Sequence, residues 1–199
     1  MPGGGAREPY HHGDLRNALC RHALRTIEAE GAGALSLRDA ARALGVSPSA
    51  VYRHFEDKAA LIAAVVDDGY ARMTRAMESA ARTAEQRALS GREGRAMLMA
   101  MGMSYVRFAA AHPTHFQTMM EAPPEAGRGP RDLLVRGVDR ALGSSGTAPE
   151  RRALRRAVFA VIHGLAVMVA QGPPSEREPS SCDAAAREVL EIVLRGAQR

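Results

Sequence analysis

Ser36 to Lys58 reads SLRDAARALGVSPSAVYRHFEDK, and the periodicity of this stretch decides the fold. Leu37, Ala40, Ala41 and Leu44 recur at i, i+3, i+4 and i+7, which makes one face of a short helix apolar. Ser36 followed three residues later by Asp39 resembles an N-terminal capping box, with aspartate in place of the usual glutamate. Gly45 falls where a helix ends in the left-handed region, Val46 can plug the inside of the turn, and Ser47-Pro48 supplies an N-cap followed by proline at the first helical position. A second short helix begins there. Val51 and Phe55 lie one turn apart on its inner face, leaving Ser49, Ala50, Arg53 and much of Tyr52 on the outer one. This is the pattern of a helix-turn-helix, whose second helix enters the major groove of duplex DNA with its first residues against base edges.

A purely structural helical hairpin has the same spacing. The solvent-facing inventory favours DNA: Tyr52, Arg53, His54 and Lys58 are all donors suited to phosphate oxygens, gathered within about two turns beside exposed small side chains. Base readout is assigned to Ser47, Ser49, Ala50 and Arg53, because they occupy the start and outer face of the second helix, and Arg53 is the best candidate for a guanine edge.

The run Leu37 to Leu61, with its G-V-S-x-x-x-V-Y-x-H-F-x-x-K-x-x-L frame, resembles the DNA-binding domain of the TetR family of bacterial transcriptional regulators. Tyr10-His11-His12-Gly13-Asp14-Leu15-Arg16 resembles the start of many members, so the likeness covers about the first third of the chain. Family members often carry a polar residue at the position of Pro48, which has no backbone N–H to give. Farther on, Tyr105-Val106-Arg107-Phe108-Ala109 through His112-Pro113, Phe116, and Val161-Ile162-His163-Gly164-Leu165-Ala166 resemble the C-terminal domain of one regulator subgroup. Together with donor chemistry, the resemblance implies backbone contacts from Arg38, Tyr52, His54 and Lys58. It further implies an all-α homodimer paired through its last two helices, a repressor released from a palindromic operator by a small-molecule inducer.

Composition is consistent with this but does not carry it. The formal charge is +5, yet residues 1–65 hold eight basic side chains against seven acidic ones. Local placement must therefore do the binding, since phosphate contacts need only a few donors on one face. At 199 residues the chain can bury a substantial core without staples. Cys20 and Cys182 are far apart and lack C-x-x-C or histidine partners, which argues against a disulfide framework or zinc site. The longest apolar run, Ala157 to Ala170, is broken by His163 and Gly164 and is too short to span a bilayer. A soluble cytoplasmic protein is expected, without metal or cofactor.

In chain order, residues 1–57 are expected to form an arm plus the DNA-binding domain, and residues 58–199 a helical ligand-binding and dimerisation domain. Met1 to Pro9 reads as a disordered arm in which Arg7 is a candidate minor-groove contact. Helix 1 is predicted over Asp14–Glu30, with a stripe of Leu15, Leu19, Ala23 and Ile27. Asp57 is placed to cap a long helix from Lys58 to Leu89 that links the domains, and Gly69 within it marks either a bend or a close crossing. Further helices are predicted over Arg92–Ala111, Pro113–Glu121, Arg131–Leu142, Glu150–Gln171 and Cys182–Arg195, with a mobile stretch from Gly172 to Ser181. The arginines at the start of the penultimate helix (Arg151, Arg152, Arg155, Arg156) read as a solvated face. The last helix has little chain after it to cover its apolar side, so a second subunit is the natural cover.

Methionines in the C-terminal half are ordinarily core filler, but the resemblance implies a pocket. Its candidate lining is Met97, Met101, Tyr105, Phe108, Phe116, Met120, His163 and Met168. His112 and His115 lack the carboxylate or cysteine company of a metal site. There is no phosphate-cradling glycine loop and no nucleophile elbow, so an enzyme is not expected. The competing reading is a small-molecule-binding helical protein or enzyme that keeps a vestigial helix-turn-helix.

Overall fold

The computed structural model describes residues 12–90, 92–121, 129–143 and 147–196, with side chains from Leu15 onward. Arg7 and the arm lie outside the described residues. Every regular element among the described residues is helical. In order these are α1 (His12–Glu30), a 3-10 turn (Ala32–Ala34), α2 (Leu37–Ala43), α3 (Pro48–Tyr52), α4 (Lys58–Arg87), α5 (Glu93–Ala111), α6 (Pro113–Met120), α7 (Pro130–Leu142), α8 (Ala148–Gln171), a second 3-10 turn (Pro174–Arg177) and α9 (Pro179–Gly196). The chain divides into two compact units, up to Val65 and from Val66 on.

The first unit is built on a small core of Leu15, Leu19 and Ala23 from α1, Leu37, Ala40 and Ala41 from α2, Val51 from α3, and Phe55. Leu61, Ala64 and Val65, in the first two turns of α4, complete it. Ile27, placed in the α1 stripe by its spacing, is only half-buried. The described part of α1 already includes His12 and Gly13, ahead of the predicted start at Asp14. Asp57 caps α4 as expected, its carboxylate accepting from the Ala60 N–H at 2.7 Å.

The second unit packs α5 at its centre, with Leu98, Met101, Tyr105 and Val106 meeting Leu134 and Val138 of α7, Val158 and Ile162 of α8, and Leu190 of α9 in one cluster. Gly69 resolves as a close crossing. A Cβ there would lie 2.5 Å from Met119 Sδ and 2.7 Å from His115 Nε2, and next to it Tyr70 Oη donates to the Met119 carbonyl at 2.8 Å. α8 begins two residues earlier than predicted because Thr147 and Glu150 form a capping box: Thr147 Oγ1 accepts from the Glu150 N–H at 3.4 Å, and Glu150 Oε2 accepts from the Thr147 N–H at 2.7 Å. These bonds, first from the backbone and then from the hydroxyl, hold the Glu150 carboxyl below its ordinary value.

Two expectations are corrected here. The stretch Gly172–Ser181 holds a 3-10 turn and the start of α9. Its anchor is Arg177, whose guanidinium donates to the carbonyls of Ala170 at 3.1 Å and Gly172 at 2.8 Å, closing the end of α8. The arginines opening α8 are not uniformly solvated. Arg151 and Arg155 both reach Asp139 of α7, at 3.3 and 2.6 Å. Among the described residues, α8 as a whole is long and apolar enough to cross a membrane by length and composition only, although the Ala157–Ala170 run within it is too short, and 33% of its most apolar window is buried within the chain.

Candidate nucleic-acid interface

The recognition segment is held by local bonds that the sequence foreshadows. Ser36 caps α2, accepting from the Asp39 N–H at 3.3 Å, but the reciprocal half of the box is absent because the Asp39 carboxylate pairs with Arg42 at 2.9 Å. α2 ends in a Schellman turn: Gly45 sits at φ 67°, its N–H reaches the Arg42 carbonyl, and the Val46 N–H reaches Ala41 at 3.0 Å. Val46 packs against the small core on the inside of the turn. Ser47 then caps α3, accepting from the Ala50 N–H at 3.3 Å, with Pro48 at the first helical position.

This arrangement buries Val51 and Phe55 and turns Ser47, Ser49, Tyr52 and Arg53 outward, with Tyr52 47% exposed. Ala50 is half-buried against the core, and Arg38 is exposed on α2. The Ser47 hydroxyl serves two bonds, the cap and a 3.0 Å contact with the Ser49 hydroxyl. Lys58 donates to the Gly33 carbonyl at 2.8 Å, tying the start of α4 to the first 3-10 turn; an ammonium keeps two further donors after one bond. His54 is half-buried just after α3. Sequence reasoning missed the brace from α1, where the Arg16 guanidinium lies 5.3 Å from the centre of the Phe55 ring.

In the second unit the structure separates the residues grouped as a pocket. Met97 and Met101 line an open cleft of about 350 Å³ with Ala81, Leu133 and Gly137, rimmed by charged side chains including Glu78 and Arg82. Tyr105, Phe116 and His163 instead form a closed cluster. Tyr105 meets Phe116 edge to face at 5.9 Å, and its hydroxyl bonds His163 Nδ1 at 3.0 Å. Phe108 is buried against His112 and His115, at 5.0 and 6.2 Å between ring centres. Met120 is 37% and Met168 68% exposed, so Met168 lines no interior cavity: it points off the outer side of α8.

Burial pushes Tyr105 well above its ordinary value and His163 below 6.5. His112 is also lowered, by burial first and then by His115 and Arg72. A histidine that prefers the neutral form when folded takes its proton more readily when unfolded, so stability falls as pH drops through about 6.5 and levels off below the folded value. The thermal midpoint is therefore expected to fall between pH 7.5 and pH 5.5, and His163→Gln to shrink that difference. An identical difference in the variant would remove His163 from the account.

Two family profiles match the chain. Residues 19–65 match that described as bacterial regulatory proteins, tetR family, and residues 98–193 that described as tetracyclin repressor-like, C-terminal domain. A solved structure from Rhodococcus sp. RHA1, described as a protein with unknown function, is 33% identical over 96% of this chain and 98% of its own, with a TM-score of 0.73. The fold alone is shared with a bacterial regulatory protein in the tetR family from Rhodococcus RHA1, at 24% identity over 91% and 95% of the two chains and a TM-score of 0.64. It is shared too with NalD of Pseudomonas aeruginosa, the secondary repressor of the MexAB-OprM multidrug efflux pump, at 20% identity over 92% and 95% and a TM-score of 0.61. No curated protein matches significantly. With a helix-turn-helix built residue by residue in the first unit and both profiles spanning most of the chain, the protein belongs to the TetR family of DNA-binding bacterial transcriptional regulators.

Proposed function

We propose that the protein is a cytoplasmic homodimeric repressor that binds a palindromic operator through α3 and leaves it when a small molecule occupies the C-terminal unit. The observation that carries this reading is the outer face of α3, where Ser47 and Ser49 are exposed at the start of the helix and Arg53 at its C-terminal end. Arg53 and the small side chains read base edges; Arg38, Tyr52, His54 and Lys58 grip phosphates and fix the register. In the second unit, the cleft beside Met97 and Met101 is of a size for a small apolar effector and has charges on its rim to orient it. To act as an inducer, that molecule must bind the DNA-incompetent state more tightly, and DNA must weaken its binding by the same factor.

The test is selection of bound sequences from a random duplex pool, followed by titration of the selected operator. Arg53→Ala is expected to relax preference at one base pair per half-site by about 1–3 kcal/mol. Lys58→Ala should weaken binding to all sequences alike and flatten the salt dependence by roughly one counterion unit. A Lys58→Ala loss confined to one operator would contradict its phosphate role. A chain that enriches no sequence at all would be a ligand carrier with an unused helix-turn-helix.

A further inference from the structure

A second cleft, of about 320 Å³, opens between α7 and α8, lined by Arg131, Val135, Arg152, Arg155, Arg156 and Phe159. Its charge is one-sided. Arg155 is paired with Asp139, and that same carboxylate also serves Arg151. Arg131 lies over the Phe159 ring at 5.3 Å, while Arg152 and Arg156 are exposed and have no carboxylate within ion-pair distance among the described residues. Phe159 is itself fixed, stacked on His163 at 5.2 Å with the planes 12° apart. The cleft therefore has a rigid apolar wall and two uncommitted guanidinium forks at its mouth. Like charges held together repel, and their field concentrates counterions in the cleft. Guanidinium forks match phosphate and carboxylate oxygens two at a time. This flank of α8 lies away from Val161 and Met168, so an occupant here does not compete with a partner on that other side.

We propose that this cleft binds a small organic dianion, an anionic phosphate or paired carboxylates on an apolar body, with its charge on Arg152 and Arg156 and its body against Val135 and Phe159. It is a site separate from the cleft beside Met97 and Met101, and it would stand if the effector reading of that cleft failed.

The experiment is calorimetric titration of the full-length protein with phenyl phosphate and with phthalate, against phenol and inorganic phosphate. Saturable, salt-sensitive binding of at least one of the two aromatic dianions is expected. Phenol should not bind at this site, and inorganic phosphate should bind at least several-fold more weakly for lack of the apolar wall. The tighter dianion names the ligand class. Arg152→Gln with Arg156→Gln, both at exposed positions, should lower dianion affinity at least tenfold and leave operator affinity and its salt slope unchanged. Three results would overturn the proposal: no saturable dianion binding; binding that survives the double variant but is lost in Met101→Trp; or a flatter salt slope for DNA in the double variant, which would make these arginines DNA contacts. None of the three bears on Arg53 or Lys58, so the operator reading is tested separately.

Discussion

Gly94→Ala will unfold the C-terminal unit at a temperature roughly 4–8 °C below the parent, a loss of about 2 kcal/mol. A Cβ at Gly94 would stand 2.3 Å from the carbonyl oxygen of Arg140, 2.5 Å from its carbonyl carbon and 2.8 Å from the Ala141 nitrogen. All three are backbone atoms near the end of α7, so no rotamer change can yield the space. Gly102 and Gly137 are also crowded, but by the ends of Leu190 and Met101, which can swing away. Alanine in a helix gains at most about 1 kcal/mol over glycine, and less in the first turn of α5, where Gly94 lies. Overpacking against rigid backbone costs about 1–3 kcal/mol and occasionally more, so the clash outweighs the propensity. Gly137→Ala is the control and should cost clearly less. Circular dichroism melts of the three proteins decide the matter, and a Gly94→Ala midpoint equal to the parent's would mean that α5 and α7 part without cost at this crossing.

That crossing is invisible in the sequence, whereas the recognition segment is not, and the difference is one of range. Gly45, Ser47-Pro48 and the Leu37–Leu44 stripe act through bonds spanning three to five residues, so spacing alone reports them. The Thr147–Glu150 box has the same short-range signature, T-A-P-E, which is readable three residues ahead of the predicted start of α8. By contrast, Arg177 reaching back to Ala170, or Asp139 receiving Arg151 and Arg155 from another helix, depends on where the chain returns. Periodicity also fails where a helix is apolar nearly all round. α8 carries Val158 and Ile162 inward but Met168 outward, and nothing in the spacing of those residues says which face meets the core. Nothing in the spacing therefore separates Met168 from the methionines grouped with it as pocket lining, though it stands in solvent within a single chain.

The same exposure supports the largest functional prediction. Met168 is 68% and Ile192 57% exposed, on the two helices proposed to pair between subunits, and a Cβ added at Gly164 on α8 would meet nothing within 4 Å. Large apolar side chains left in water on adjacent terminal helices are surface that a second copy can remove from it, at about 25 cal/mol for each Å² buried. Met168→Glu with Ile192→Glu should cost the single subunit little, because neither side chain is packed inside it, yet place charges in the proposed interface, where they must be desolvated beside their symmetry mates. Light scattering at micromolar concentration should then show a monomer for the double variant and a dimer for the parent. Operator affinity should fall by roughly a hundredfold or more, since the second half-site is no longer engaged as an effectively intramolecular event. Affinity for an isolated half-site, which the proposed contacts of Arg53 and Lys58 on the first unit would govern, should be unchanged. A double variant that stays dimeric and holds its operator as before would place the subunit interface elsewhere on the molecule, and with it the apolar face of α8 would need another occupant.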